Sequence, residues 1–172
     1  KLPKNNLNDI KFLGFRGEAL PSIASISELK IESCRKDLNE GWCIKLKNNQ
    51  VFKFCPSPIK FGTKITVNNI FENVPARLKF LKSNQAENKN SLQIIKKIAL
   101  GHPEIKFLYK FEENLSHVYK KENFNNEGFK QRILEVFQDD FFSNSLLVEN
   151  KIQSDLGDIK LRGFISIPSY NK

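Results

Sequence analysis

At Glu28 the apolar residues change period, from the spacing of a helix to that of a strand, and this switch fixes the class of fold. Before it, Ala19, Leu20, Ile23, Ala24 and Ile26 recur at helical spacing behind the acidic Glu18. Pro21 falls within the first turn, where its missing N–H costs little. After it, Leu29, Ile31 and Ser33 alternate with Lys30, Glu32 and Cys34. Trp42–Lys47 and Val51–Cys55 alternate in the same way, and Asn48, Asn49 and Gln50 between them predict a hairpin. Pro56 and Pro58 break that pattern, and Thr63–Ile70 predicts a further strand with Ile65 and Val67 on one face.

Helical spacing then returns. Pro75 opens a short helix, Ala76–Leu81, and a longer one runs from Glu87 to Leu100 with Leu92, Ile95, Ile98 and Ala99 on one stripe. Gly101, His102 and Pro103 end it. Ile105–Phe111 and Ser116–Tyr119 predict paired strands around Glu112, Glu113 and Asn114. Residues 121–127 are polar and turn-rich, as a linker would be. Beyond them Phe129, Ile133, Val136 and Phe137 mark an amphipathic helix, and Ser145–Val148 and Ile159–Ile167 two strands. The expected organisation is α+β with a mostly antiparallel sheet up to residue 122, then a second, unfinished unit over 127–172.

The 172 residues are 40% hydrophobic and 27% charged, enough for a real core on a soluble chain. No apolar run approaches the roughly 18 residues of a membrane span, and Lys1-Leu2-Pro3-Lys4 has no apolar run behind it to make a signal peptide. A cytoplasmic protein with no membrane partner is expected. The sequence contains no Met, as a trimmed or internal piece of a longer chain would not. Its formal net charge of +9 suits polyanionic partners, but a coding bias towards Lys, Asn, Ile and Phe accounts for it equally well. Cys34, Cys43 and Cys55 form no Cys-x-x-Cys pair and are not spaced with His102 and His117 as ligands, so they read as small buried hydrophobes rather than a metal or disulfide site.

Gly14 and Gly17 flank Arg16 just before the first helix. Glycines let a backbone approach a ligand and aim N–H groups at it, and the helix that follows offers free N–H groups. Arg16 would add a charged fork. The spacing alone favours a plain turn before a capped helix over a phosphate loop.

The complete string is more specific. Gly14-Phe15-Arg16-Gly17-Glu18-Ala19-Leu20-Pro21-Ser22-Ile23-Ala24-Ser25-Ile26 resembles the signature of the MutL family of DNA mismatch repair proteins, which belong to the GHKL ATPases. Phe61-Gly62-Thr63 and Phe71–Leu81 match two further family segments in order. The resemblance covers residues 1–120 well and continues more loosely through Phe129–Phe142 and Leu161-Arg162-Gly163-Phe164. It implies a partial GHKL (Bergerat, Hsp90-like) α/β sandwich over 1–122, followed over 127–172 by the start of a ribosomal protein S5 domain 2-like transducer domain. By the same resemblance Gly14, Arg16, Gly17, Glu18, Ala19 and Leu20 would cradle the ATP phosphates at the end of a lid, and Gly62 and Thr63 would form the motif that meets adenine or its bridging water. ATP with Mg would be the cofactor of the intact protein. Its partners would be DNA, a MutS-type protein, a second MutL chain and a downstream nuclease or helicase.

The departures are equally specific. The family's general-base Glu and Mg-binding Asn lie on a helix preceding these motifs, with an Asp-x-Gly-x-Gly segment that reads adenine, and neither pattern occurs in these residues. Asn5, Asn6 and Asn8 do not substitute for them, and the lysine that reaches the γ-phosphate would lie beyond Lys172. No catalytic residue or metal ligand is therefore assigned, and these 172 residues are expected not to hydrolyse ATP alone. Arg77, Lys79, Lys96, Lys97, Lys130 and Arg132 are placed to touch DNA phosphate, though each fits an ordinary solvated helix face as well. Two competing readings are a different GHKL enzyme, such as a topoisomerase subunit or a kinase, and a truncated product that binds DNA weakly without being an enzyme.

Overall fold

The first helix, α1 (Ala19–Ala24), ends at Ser25, and the chain extends into β1 (Glu28–Cys34). The coordinates are a computed structural model that describes residues 14, 16–112, 115–155 and 157–170. Residues 1–13 and Phe15 of the glycine string, and Glu113 and Asn114 of the second hairpin, lie outside the described residues. By packing the chain divides into two units, 1–81 and 82–172.

In the first unit β2 (Gly41–Lys47), β3 (Gln50–Ser57) and β4 (Gly62–Asn68) join β1 in an antiparallel sheet of order β3-β2-β1-β4. Leu29 stands opposite Leu46 and Val67, and Ile31 opposite Ile44 and Ile65. The pleat thus gathers these apolar residues on one face and sends Lys30, Glu32, Lys45 and Lys64 to the other. Asn48 and Asn49 close the β2–β3 hairpin with φ of +51° and +61°, the two positive values that a two-residue turn needs to follow the sheet twist. β3 runs on through Pro56 to Ser57, although the sequence predicted a break there. The reason is position: β3 is an edge strand, where a missing N–H can point away from the ladder. Ala24, Leu29, Cys34 and Cys43 are buried. α2 (Pro75–Leu78) is shorter than expected, with Lys79–Leu81 continuing as tight turns in which Phe80 donates to Arg77 and Leu81 to Leu78.

The second unit begins with α3 (Asn84–Gly101), three residues ahead of the expected start. Ser83 Oγ accepts from the Ala86 N–H at 3.3 Å, satisfying one orphan donor of the first turn, and the Glu87 carboxylate accepts from the N–H of Lys82, just ahead of the cap, at 3.1 Å. β5 (Phe107–Phe111) and β6 (Leu115–Tyr119) form a hairpin, and α4 (Asn126–Ser143) follows. Asn125 caps α4 by accepting from Gly128 N at 2.9 Å, which starts the helix inside the 121–127 stretch. Ala99, Tyr119 and Val136 form the core, with Ile95, Leu100 and Phe107 packed on it. β7 (Ser145–Ser154) and β8 (Gly157–Ser166) make a ribbon longer than the apolar pattern predicted. Its outer half is charged and is held by backbone pairing together with a 2.6 Å Lys151–Asp158 ion pair.

A candidate nucleotide loop and its charged surroundings

Gly14, Arg16, Gly17, Glu18, Ala19 and Leu20 are all exposed. Gly17 has φ +72°, in the left-handed region that favours glycine, and a Cβ there would meet no atom within 4 Å. Its conformation rather than crowding selects the residue. Glu18 caps α1 without a side-chain hydrogen bond. The first intrahelical acceptor is used by Ser22, whose N–H donates to the Glu18 carbonyl at 3.0 Å. The N–H groups of Ala19 and Leu20 lie ahead of that ladder, as the first donors of any helix do. Gly17, Glu18, Pro21, Ser22, Ser25 and Asn49 line a shallow recess of about 310 Å³ beside the loop.

Gly62 opens β4 with φ +98°. Thr63 stands opposite Ser33, and their hydroxyl oxygens are 2.9 Å apart. Ser33 shows in the sequence only as part of the alternation of β1, because strand register alone brings it to Thr63. β1 links the two parts: α1 packs on it and β4 pairs with it.

The six cations proposed for DNA fall in both units, Arg77 and Lys79 in the first and the other four in the second. Arg77 is exposed on α2 with its guanidinium 5.9 Å from the Phe71 ring centre, and Lys79 is the exposed residue that ends that helix. In the other unit Lys97 is exposed, Lys96 lines a recess with Val136, Asp140 and Tyr170, and the Lys130 ammonium sits 5.3 Å from the Phe142 ring centre.

Arg132 is a correction. Its side chain is fully buried, with 0% exposure, and cannot reach a DNA phosphate. One terminal nitrogen donates to the Ala99 and His102 carbonyls at 2.5 and 3.1 Å. The other donates to Pro103 at 3.0 Å, Ile105 at 2.9 Å and Lys120 at 2.5 Å. Nε lies 3.4 Å from a Glu135 carboxylate oxygen. The planar fork thus ties the end of α3, the turn after it and the end of β6 to α4, where a cation also meets the negative end of the α3 dipole. Helical spacing puts Lys130 and Arg132 on opposite flanks of the stripe Phe129, Ile133, Val136 and Phe137, and does not reveal which flank the fold buries.

Two ion pairs frame the charged sheet face. The Lys47 ammonium, hydrogen-bonded to Glu28 at 2.5 Å, holds that carboxyl below the ordinary carboxylate range. Glu32 is lowered first by its hydrogen bond from Lys30 and then by that from Ser57.

No family profile matches the sequence. The fold is similar to the Aquifex aeolicus MutL ATPase domain solved in complex with ADP, with a TM-score of 0.68 and 30% identity over 91% of this chain and 59% of that one. The ATPase domain of the mismatch repair endonuclease MutL of the same organism aligns with a TM-score of 0.62 and 26% identity, over 89% of this chain and 57% of that one. The fold is therefore the α+β fold of these nucleotide-binding GHKL domains. The DNA mismatch repair protein MutL of Rickettsia felis is 38% identical over all of this chain and 28% of its own length. The chain is a MutL-type sequence, matched from end to end to a segment of those proteins. It spans little more than a quarter of the length of the curated relatives it matches.

Proposed function

We propose that these residues are the lid-end part of the ATPase half of a DNA mismatch repair protein. Gly14, Arg16, Gly17, Glu18, Ala19 and Leu20 cradle the phosphates of ATP, and Gly62 and Thr63 meet the adenine side, with Ser33 holding the Thr63 hydroxyl. The observation that carries this is the left-handed Gly17 at the entrance to α1, in a sequence that aligns with a domain solved with ADP. Residues 1–122 are assigned to the GHKL domain and 127–172 to the start of the S5 domain 2-like transducer.

In the whole protein, bound ATP with Mg orders the lid and brings two MutL chains together on DNA, coupling a MutS-type mismatch sensor to a nuclease or helicase. The order–disorder step follows the logic of other nucleotide switches. Lys79, Lys96, Lys97, Lys130 and Arg77 supply sequence-independent phosphate contacts, which weaken with salt. A cytoplasmic protein acting at the nucleoid fits this role.

Amide NMR of the 172-residue chain titrated with millimolar ADP tests the loop assignment. Shift changes centred on Gly17–Leu20 and Thr63, lost in Gly17→Val, are expected. Changes confined to other residues, or none at all, would overturn it.

A further inference from the structure

The polar face of the four-stranded sheet carries a row that the fold itself does not explain. Lys53 on β3 stands opposite Lys45 on β2, and Lys45 stands opposite Lys30 on β1. On β4, Lys64 stands opposite Glu32. Residues directly opposite on paired strands have their Cβ atoms about 5 Å apart. Like charges directly opposite across a sheet are destabilising.

The carboxylates on this face relieve Lys30 through an ion pair and Lys64 only at longer range, and they leave Lys45 and Lys53 without one. Glu32 is committed to Lys30 at 2.9 Å and accepts from Ser57 at 3.0 Å, and Glu28 is committed to Lys47. Among the described residues Lys45, Lys53 and Lys64 have no ion pair. Protection of exposed edges accounts for lysines on β3 and β4, the two edge strands. It does not account for Lys45, on the inner strand β2.

We propose that the row Lys30, Lys45 and Lys53, with Lys64, is a docking surface for the phosphate backbone of duplex DNA. The complementarity is one of charge: three uncommitted ammonium groups on a shallow polar face meet a line of phosphates, and lysine acts there as a point charge without reading bases. The surface lies on the sheet of the first unit and shares no residue with the helix cations assigned above, and it rests on the reading of the chain as a DNA repair protein.

The test compares the wild-type chain, a triple variant Lys45→Gln, Lys53→Gln, Lys64→Gln, and a second triple variant Lys96→Gln, Lys97→Gln, Lys130→Gln. Binding to a fluorescent mixed-sequence duplex is measured by anisotropy over a series of salt concentrations. For the sheet variant the slope of log affinity against log salt should shrink by about 2 to 3, since each phosphate contact contributes about 0.9. Its thermal midpoint should stay level or rise, because repulsion has been removed. Loss of binding with a raised or level midpoint supports the proposal. An unchanged slope and affinity in the sheet variant, with wild-type binding intact, overturns it and leaves the DNA reading standing on the helix lysines. A wild-type chain that does not bind duplex DNA overturns both.

Discussion

Arg132 illustrates how much one side chain can decide. A buried guanidinium donating to five carbonyls closes the end of α3, the 103–105 turn and the exit of β6 at once. Arg132→Met should leave those carbonyls unsatisfied and Glu135 without its cation, destabilising the second unit by about 3 kcal/mol. Hydrogen exchange at the Ala99 and Tyr119 amides would read that loss. Arg132→Lys should recover little, because one ammonium cannot span three elements. Gly128 is a second position with no freedom: a Cβ there would lie 1.9 Å from the Asn123 carbonyl oxygen. Gly128→Ala should therefore cost about 1–3 kcal/mol as overpacking, measured by urea denaturation followed by helical circular dichroism.

At the scale of elements, the sheet and the helix starts depend on different groups. Glu28 and Glu32 have folded-state pKa values below their unfolded ones, because Lys47 and Lys30 favour the ionised carboxylates. That stability is present above the ordinary carboxylate range and is lost as pH falls through it, below about pH 4. The thermal midpoint of the first unit, followed by the fluorescence of its sole tryptophan, Trp42, should fall on acidification. A Lys30→Gln, Lys47→Gln double variant should flatten that fall. At the start of α4, Asn125→Ala removes the acceptor of the Gly128 N–H and should cost about 1 kcal/mol. Increased exchange of the first-turn amides of α4, with the core of β1–β4 unaffected, is the expected signature.

For the molecule as a whole, the proposed nucleotide loop and the chemistry of hydrolysis are separable. The loop offers backbone donors and a cation, but these residues contain no Glu and Asn in the family's helical pattern to activate water or hold Mg. Phosphate release assays on the 172-residue chain with ATP and Mg should detect no turnover above background. Sustained Mg-dependent turnover that Gly17→Val abolishes would show that a base has been missed. The +9 net charge gains meaning at this scale, because the sheet register resolves scattered lysines into a row on one face.

Periodicity alone determined that β1–β4 alternate, that α3 and α4 are amphipathic, and that a glycine-bounded loop precedes α1, because each depends on residues near one another in sequence. The same is true of the Asn48–Asn49 turn. The string Gly14–Ile26 sufficed to place the chain among MutL-type sequences. Tertiary structure decided what local pattern cannot hold. It carried β3 through Pro56 because that strand lies at an edge, and set Ser33 beside Thr63 through pairing across 30 residues. It also separated two cations on one helix, leaving Lys130 against a ring at the surface and drawing Arg132 into the core. Charge and spacing were identical in kind for both; the carbonyls left at the end of α3 distinguish them, and only folding brings those carbonyls within reach.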